Sequence, residues 1–89
     1  MKYVLFYESA DDVADQLRAH FPAHQARWQE YRERGTLLLI GPFTDRLGAL
    51  AIFTSRPDAE DFAAGDPFVV HGLIRSWHIR EWMEAIQPS

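Results

Sequence analysis

Cysteine is absent from the 89-residue chain, which excludes disulfides and thiolate metal sites. Long apolar runs are also missing. The N-terminal apolar segment Tyr3–Tyr7 is followed at once by Glu8, so it is too short for a signal-peptide core or a membrane span. The sequence therefore predicts a soluble, cytoplasmic protein that makes no contact with a membrane.

Positive charge is scarce and dispersed. Nine Lys and Arg against 13 Asp and Glu give a net charge of −4, and the arginines are scattered along the chain. Nucleic-acid binding depends on a basic surface that neutralises phosphates, so we predict no nucleic-acid partner. Internal repeats and low-complexity stretches are missing as well, and the length predicts a single domain over residues 1–89.

Aromatic residues, by contrast, are abundant for so short a chain, at 13% of all residues. One core of this size gives only a thin margin of stability, which a second copy of the chain would increase. We therefore expect part of the aromatic surface to meet a partner chain or to line a pocket.

The hydrophobic pattern predicts four strands separated by helices and turns. The predicted strands are Tyr3–Tyr7, Thr36–Ile40, Ala49–Thr54 and Leu73–Trp82. Gly41-Pro42 is expected to end the second strand, and the connection Asp45–Gly48 is short enough for a hairpin between the second and third strands.

Proline and glycine residues set the predicted helix boundaries. Pro22 predicts a short helix over Asp11–His20, a break at Phe21 and a longer helix from Pro22 to Arg34, which Gly35 ends in a left-handed conformation. A further helix is expected to begin at Ser55 or Pro57 and to end at Gly65. The tail to Ser89 is expected to be frayed, with one turn of helix at Trp82–Ile86.

The order β-α-β-β-α-β is typical of the ferredoxin-like α+β fold, a four-stranded antiparallel sheet with both helices on one face. The first three predicted strands are apolar on both faces, yet two helices cover only one of them. A second copy of the same sheet would cover the other face. The sequence therefore predicts a face-to-face homodimer.

Two short segments rich in Gly, Pro and Phe interrupt the chain, namely Gly41-Pro42-Phe43 and Gly65-Asp66-Pro67-Phe68. Each proline pushes the residue before it toward extended backbone, so Asp66 is expected to be held in place at the end of a regular element. His24 lies on a helix upstream of both segments. A carboxylate that orients this imidazole would suit it for general acid–base catalysis.

Each of these residues also has a purely structural interpretation. His24 can pack at a helix start, and Asp66 can cap a local backbone amide. Phe43 and Phe68 either wall an apolar pocket or belong to the plain core. Gly41 either lets a ligand approach the backbone or only ends a strand. The residues alone leave both interpretations open.

Metal binding is not predicted. His20 and His24 have the i,i+4 spacing of paired metal ligands on a helix. Pro22 falls between them and is expected to break the helical register, and no third ligand follows at a suitable interval.

An ordered set of short motifs carries a resemblance to a known family. The motifs are Pro22-Ala23-His24, Gly35-Thr36-Leu37-Leu38, Gly41-Pro42-Phe43, Gly48, Asp66-Pro67-Phe68, Gly72-Leu73 and Trp82. In this order the chain resembles the YCII-related (YciI-like) family of small bacterial proteins over almost its whole length. His20 and His71 have no counterpart in that family pattern.

The resemblance implies a dimeric α+β barrel and a histidine–aspartate pair, here His24 and Asp66, in a pocket. It places the chain in a wider group with muconolactone isomerase-like enzymes, and at least one relative is a dehydrochlorinase of a chlorinated hydroxyquinol. We expect a cofactor-independent lyase or isomerase for a small ring-shaped substrate, bound by Gly41, Pro42, Phe43 and Phe68. The alternative is a non-catalytic dimeric module that binds a small molecule or a partner protein.

Overall fold

A four-stranded antiparallel sheet with helices on one face makes up the computed structural model, which describes residues 1–86. The elements are β1 (Lys2–Ser9), α1 (Ala14–Glu33), β2 (Leu37–Pro42), β3 (Gly48–Phe53), α2 (Arg56–Gly65), α3 (Pro67–Val70) and β4 (Ile74–Trp82). The sheet order is β2-β3-β1-β4, and every neighbouring pair is antiparallel. The predicted ferredoxin-like βαββαβ fold is thereby confirmed, with the short helix α3 as an addition.

The central strand β1 has two apolar faces. Leu5 and Tyr7 point toward the helices and are buried, and Leu5 lies opposite Ala51 of β3. Val4 and Phe6 point the other way, and Val4 lies opposite Ile52. We call this second side, which the helices do not cover, the open face; it carries Val4, Phe6, Leu39, Leu50, Ile52 and Trp82.

Three aromatic rings lock the helices to the covered face of the sheet. Tyr31 of α1, Phe62 of α2 and Phe53 of β3 are almost fully buried, and their ring centroids lie 5.3 to 6.3 Å apart. The pairs that include Tyr31 meet edge to face, which is a favoured geometry for aromatic side chains. This cluster fixes the distance between α1 and the end of α2, on which the site described below depends.

Helix α1 runs without interruption through Pro22, so the predicted short helix over Asp11–His20 and the break at Phe21 were wrong. Proline lacks the N–H that would bond to the carbonyl of Arg18, which costs about 3 kcal/mol in a helix interior. Pro22 and Arg18 are both exposed to solvent. Packing of the opposite side, where His24 and Tyr31 are buried, outweighs the loss.

The C-terminus of α1 agrees with the prediction for Gly35. Its φ is +84°, a conformation that residues with a Cβ rarely adopt. The Gly35 N–H donates to the Arg32 carbonyl at 2.9 Å, and the Thr36 N–H donates to the Tyr31 carbonyl at 3.1 Å. These two bonds satisfy helix-end carbonyls and turn the chain into β2.

Two other predicted boundaries differ from the structure. Strand β2 continues through Gly41 and Pro42, because β2 is an edge strand, where a residue without an N–H is tolerated. The predicted helical turn at Trp82–Ile86 was wrong, because Trp82 is paired with Lys2 at the end of β4 and no helix covers 83–86. The last three residues of the predicted frayed tail, 87–89, lie outside the described part of the chain.

Candidate functional site

A fully buried carboxylate, Asp66, is the centre of the candidate site. Its Oδ2 accepts a hydrogen bond from the Tyr7 hydroxyl at 2.7 Å, and its Oδ1 lies 2.8 Å from Nδ1 of His24. These residues come from β1, the middle of α1 and the junction between α2 and α3. We call Tyr7, Asp66 and His24 the buried triad.

The local sequence around Asp66 explains its fixed position. Asp66 has extended backbone, with φ −63° and ψ 127°, and precedes Pro67, the first residue of α3. Its Oδ1 accepts a hydrogen bond from the Phe68 N–H at 3.2 Å and thereby caps this helix. The capping interpretation is therefore correct, and the same oxygen also contacts the imidazole of His24.

Gly65, the residue before Asp66, permits a close approach between α2 and α1. A Cβ at this position would overlap the guanidinium of Arg27. That guanidinium donates from Nη2 to the Asp61 carbonyl at 2.7 Å and from Nε to the Phe62 carbonyl at 3.1 Å. Arg27 thus ties α1 to the C-terminal half of α2, four and five residues before the carboxylate.

The contacts of Asp66 determine which ring nitrogen of His24 carries a proton. An ionised carboxylate only accepts hydrogen bonds, so Nδ1–H is the donor to Asp66. Among residues 1–86, none makes a hydrogen bond to Nε2. The ring is stacked on Phe68, with centroids 4.0 Å apart and planes 11° apart. Nε2 is therefore the nitrogen that can exchange a proton with a bound molecule.

Tyr7 was not recognised from the sequence, where it looked like one more apolar residue of a strand. Burial, and then the negative charge of Asp66, raises the pKa of its hydroxyl far above the ordinary value of 10.0. Tyr7 therefore stays protonated and acts as a permanent donor to the carboxylate. A signal was available, because a core-facing tyrosine needs a partner for its hydroxyl.

The raised pKa of Tyr7 predicts a loss of stability in alkali. Unfolded Tyr7 ionises above pH 10 while folded Tyr7 does not, so stability is full below pH 10 and falls as the pH rises further. Above pH 10, one such buried tyrosine lowers the free energy of unfolding by up to about 1.4 kcal/mol for each further pH unit. Urea unfolding at several alkaline pH values should show a shallower decline for Tyr7→Phe than for wild type. Equal declines would contradict the burial of a neutral Tyr7.

A cavity of about 840 Å³ opens beside the triad, within the size range of small-molecule sites. It is bounded by β1, the β1–α1 connection, α1 and the β2–β3 hairpin, and its walls are mainly apolar. Of the residues predicted to serve the site, His24, Gly41, Pro42 and Phe68 line it. Phe43 does not line it and is 39% exposed, so a contact between Phe43 and a ligand stays a prediction.

The two histidines outside the family pattern meet each other. His20 stacks on His71, with ring centroids 4.0 Å apart. Because α1 is continuous, His20 and His24 do lie on one side of the helix, which the expected break at Pro22 had excluded. Within residues 1–86, no three His, Asp or Glu side chains converge in a way that would hold a metal ion.

Comparisons with known proteins agree with this architecture. The solved 5-chloro-2-hydroxyhydroquinone dehydrochlorinase (TftG) from Burkholderia phenoliruptrix AC1100, in complex with 2,5-dihydroxybenzoquinone, is similar with a TM-score of 0.80 over 96% of each chain. At 19% sequence identity this likeness concerns the fold alone. No curated protein sequence matches significantly.

In the part of the chain that the structure describes, no helix has both the length and the apolarity to cross a bilayer.

The sequence also matches a protein-family model. The model of the YCII-related domain covers residues 1–83, which is nearly the entire chain. The chain belongs to the YCII-related domain family.

Proposed function

We propose that the chain is a YciI-like enzyme, a lyase or isomerase that moves a proton on a small ring-shaped substrate without a cofactor. One observation carries the proposal. The imidazole of His24 is oriented by a fully buried carboxylate 2.8 Å from Nδ1, while the ring itself lines a cavity large enough for such a substrate. A base fixed by a second group and facing a cavity is the arrangement that general acid–base catalysis requires.

Proton transfer begins at Nε2 of His24. This nitrogen accepts a proton from the substrate, and the imidazolium that forms is stabilised by the Asp66 carboxylate through Nδ1–H. Tyr7 and the Phe68 N–H hold the carboxylate in place during this step. Phe68, Gly41 and Pro42 shape the cavity around the substrate ring.

The imidazolium then has two possible fates, which correspond to two reaction classes. In an isomerase it returns the proton to a different atom of the substrate. In a dehydrochlorinase this return delivers the proton to the ring carbon that bears chlorine, so that the ring takes its keto form. A second ring hydroxyl then gives its proton to Nε2, its oxygen becomes a carbonyl, and chloride leaves the ring carbon with the bonding electron pair to form a quinone. The similar fold of a 5-chloro-2-hydroxyhydroquinone dehydrochlorinase supports testing the second class first.

The test measures chloride released from 5-chloro-2-hydroxyhydroquinone in excess over the protein. Many chloride ions per chain, above the rate in buffer, would support the enzyme. Deuterium uptake from heavy water into a panel of ring ketones and quinols covers the isomerase. Neither reaction, combined with saturable one-to-one binding of 2,5-dihydroxybenzoquinone, would reject the enzyme and support the non-catalytic binding module.

We also propose that the chain is a homodimer joined through the open face. This face exposes apolar side chains, among them Leu39 at 64% and Trp82 at 47%. A groove of about 340 Å³ between Val4, Ile52 and Trp82 offers space for side chains of a second copy. Contact of identical faces around a two-fold axis is the commonest form of assembly and buries both at once.

Sedimentation equilibrium at micromolar concentration is expected to report about twice the chain mass of 10.3 kDa. Leu39→Lys places a charge on the open face and should shift the equilibrium toward monomer. Val70→Lys is the matched control, because Val70 is also 64% exposed but lies on α3. A wild-type monomer, or equal effects of the two lysines, would contradict the dimer.

A further inference from the structure

One cationic side chain of the cavity wall, Arg46, forms no side-chain hydrogen bond within residues 1–86. It lies in the connection between β2 and β3 and lines the same cavity as His24. Its backbone has φ +66°, a left-handed conformation that is uncommon for residues other than glycine. Glycine would adopt this conformation without steric cost, whereas an arginine adopts it with some strain.

The left-handed conformation is held by the surrounding connection. The Arg46 N–H donates to the Phe43 carbonyl at 3.0 Å, and the Leu47 N–H donates to the Asp45 side chain at 2.9 Å. The Leu47 carbonyl in turn accepts from the Ser9 N–H at 2.9 Å, which attaches the connection to the end of β1. Arg46 is therefore presented from a fixed backbone position rather than from a free loop.

Within residues 1–86, the other charged residues around the cavity leave the Arg46 guanidinium free to contact a bound ligand. The other arginine in the lining, Arg18, forms an ion pair with Asp15. Two acidic residues, Asp11 and Asp12, also line the cavity, and both lie on the β1–α1 connection. Asp11 pairs with Arg75 at 2.7 Å. No Asp or Glu among residues 1–86 forms an ion pair with Arg46.

We propose that Arg46 binds an anionic oxygen group of the substrate and thereby restricts the substrate to ring compounds that carry a carboxylate, enolate or phenolate. The planar guanidinium fork matches two oxygens of such a group and stays charged at every physiological pH. The inference rests on the proposed function in one respect only, namely that the bound ring is the one that reacts at His24.

The test compares benzoate with benzamide, which has nearly the same shape and no charge. Titration is followed on the indole N–H signal of Trp28, which lines the cavity. Wild type is expected to bind benzoate about tenfold more tightly than benzamide, since one charge-assisted hydrogen bond contributes on this scale. Arg46→Gly, which suits the left-handed backbone, should remove the difference, and Arg46→Lys should retain part of it.

Arg18→Gln is the matched control, because it also removes a positive charge from the cavity wall but one that is already paired. It should keep the preference for benzoate. Equal binding of both probes by wild type, no saturable binding of either, or an unchanged preference in Arg46→Gly would each overturn the proposal. His24→Gln should keep the preference for benzoate, so failure of the enzyme and failure of anion binding are distinguishable.

Discussion

Replacement of His24 by Gln is expected to lower turnover by about 100- to 10,000-fold, the usual contribution of a general acid–base group. Glutamine offers an amide N–H to Asp66 in place of Nδ1–H but accepts no proton near neutral pH. Cavity shape and the cap on α3 are expected to persist, so binding of 2,5-dihydroxybenzoquinone should survive. The measurements are kcat for chloride release, probe affinity and the free energy of unfolding.

The control for this variant is His20→Gln. His20 stacks on His71 and does not line the cavity, so its replacement should leave kcat unchanged. Turnover that survives in His24→Gln would end the assignment of His24 as the base. Loss of turnover in both variants would show that helix α1, rather than one imidazole, had been damaged.

Asp66→Ala is expected to lower the free energy of unfolding by about 3–5 kcal/mol, because it removes a buried acceptor that three hydrogen-bond donors share. Asp66 is 0% exposed and accepts from Tyr7, His24 and Phe68. Alanine leaves these donors without an acceptor where water has no access, and each such donor costs about 1–3 kcal/mol. The free energy of unfolding of a native domain is about 5–15 kcal/mol in total, so this loss is a large share of it.

Urea unfolding measures this loss, with Asp15→Ala as the control. The Asp15 side chain is 89% exposed and pairs, within residues 1–86, only with Arg18 at the surface, so its removal should cost less than about 1 kcal/mol. Asp66→Asn should fall between the two, because its amide keeps one acceptor oxygen. A loss in Asp66→Ala as small as that in Asp15→Ala would contradict the buried hydrogen-bond network.

Periodicity and turn residues predicted most of the fold, because both act locally. Gly35 ended α1 as expected, and Ser55 caps α2 by accepting from the Asp58 N–H. Pro22 misled the prediction, because a local penalty says nothing of the packing on the far side of the helix. Helix α3 was missed because its four residues are too few to show a helical period.

The candidate site was only partly accessible from the sequence. His24 and Asp66 stood out because of the family resemblance and the fixed turn that Pro67 creates. Tyr7 was hidden among the other aromatic residues of β1, since its role depends on a carboxylate 59 positions away. Arg46 was one scattered arginine among several, and only the folded chain places it in the lining of the cavity that α1 and the β2–β3 connection share.

The Asp66 carboxylate both caps α3 and orients His24. This double role has a consequence for how the protein can evolve. A mutation at Asp66 is removed by selection for folding before selection for activity can act on it. Substitutions that lead to new substrates are therefore expected at positions where the fold tolerates a change of side chain. Arg46, whose replacement by glycine relieves the backbone, is such a position, so we expect sequence changes that alter specificity to occur at Arg46 while Asp66 stays unchanged.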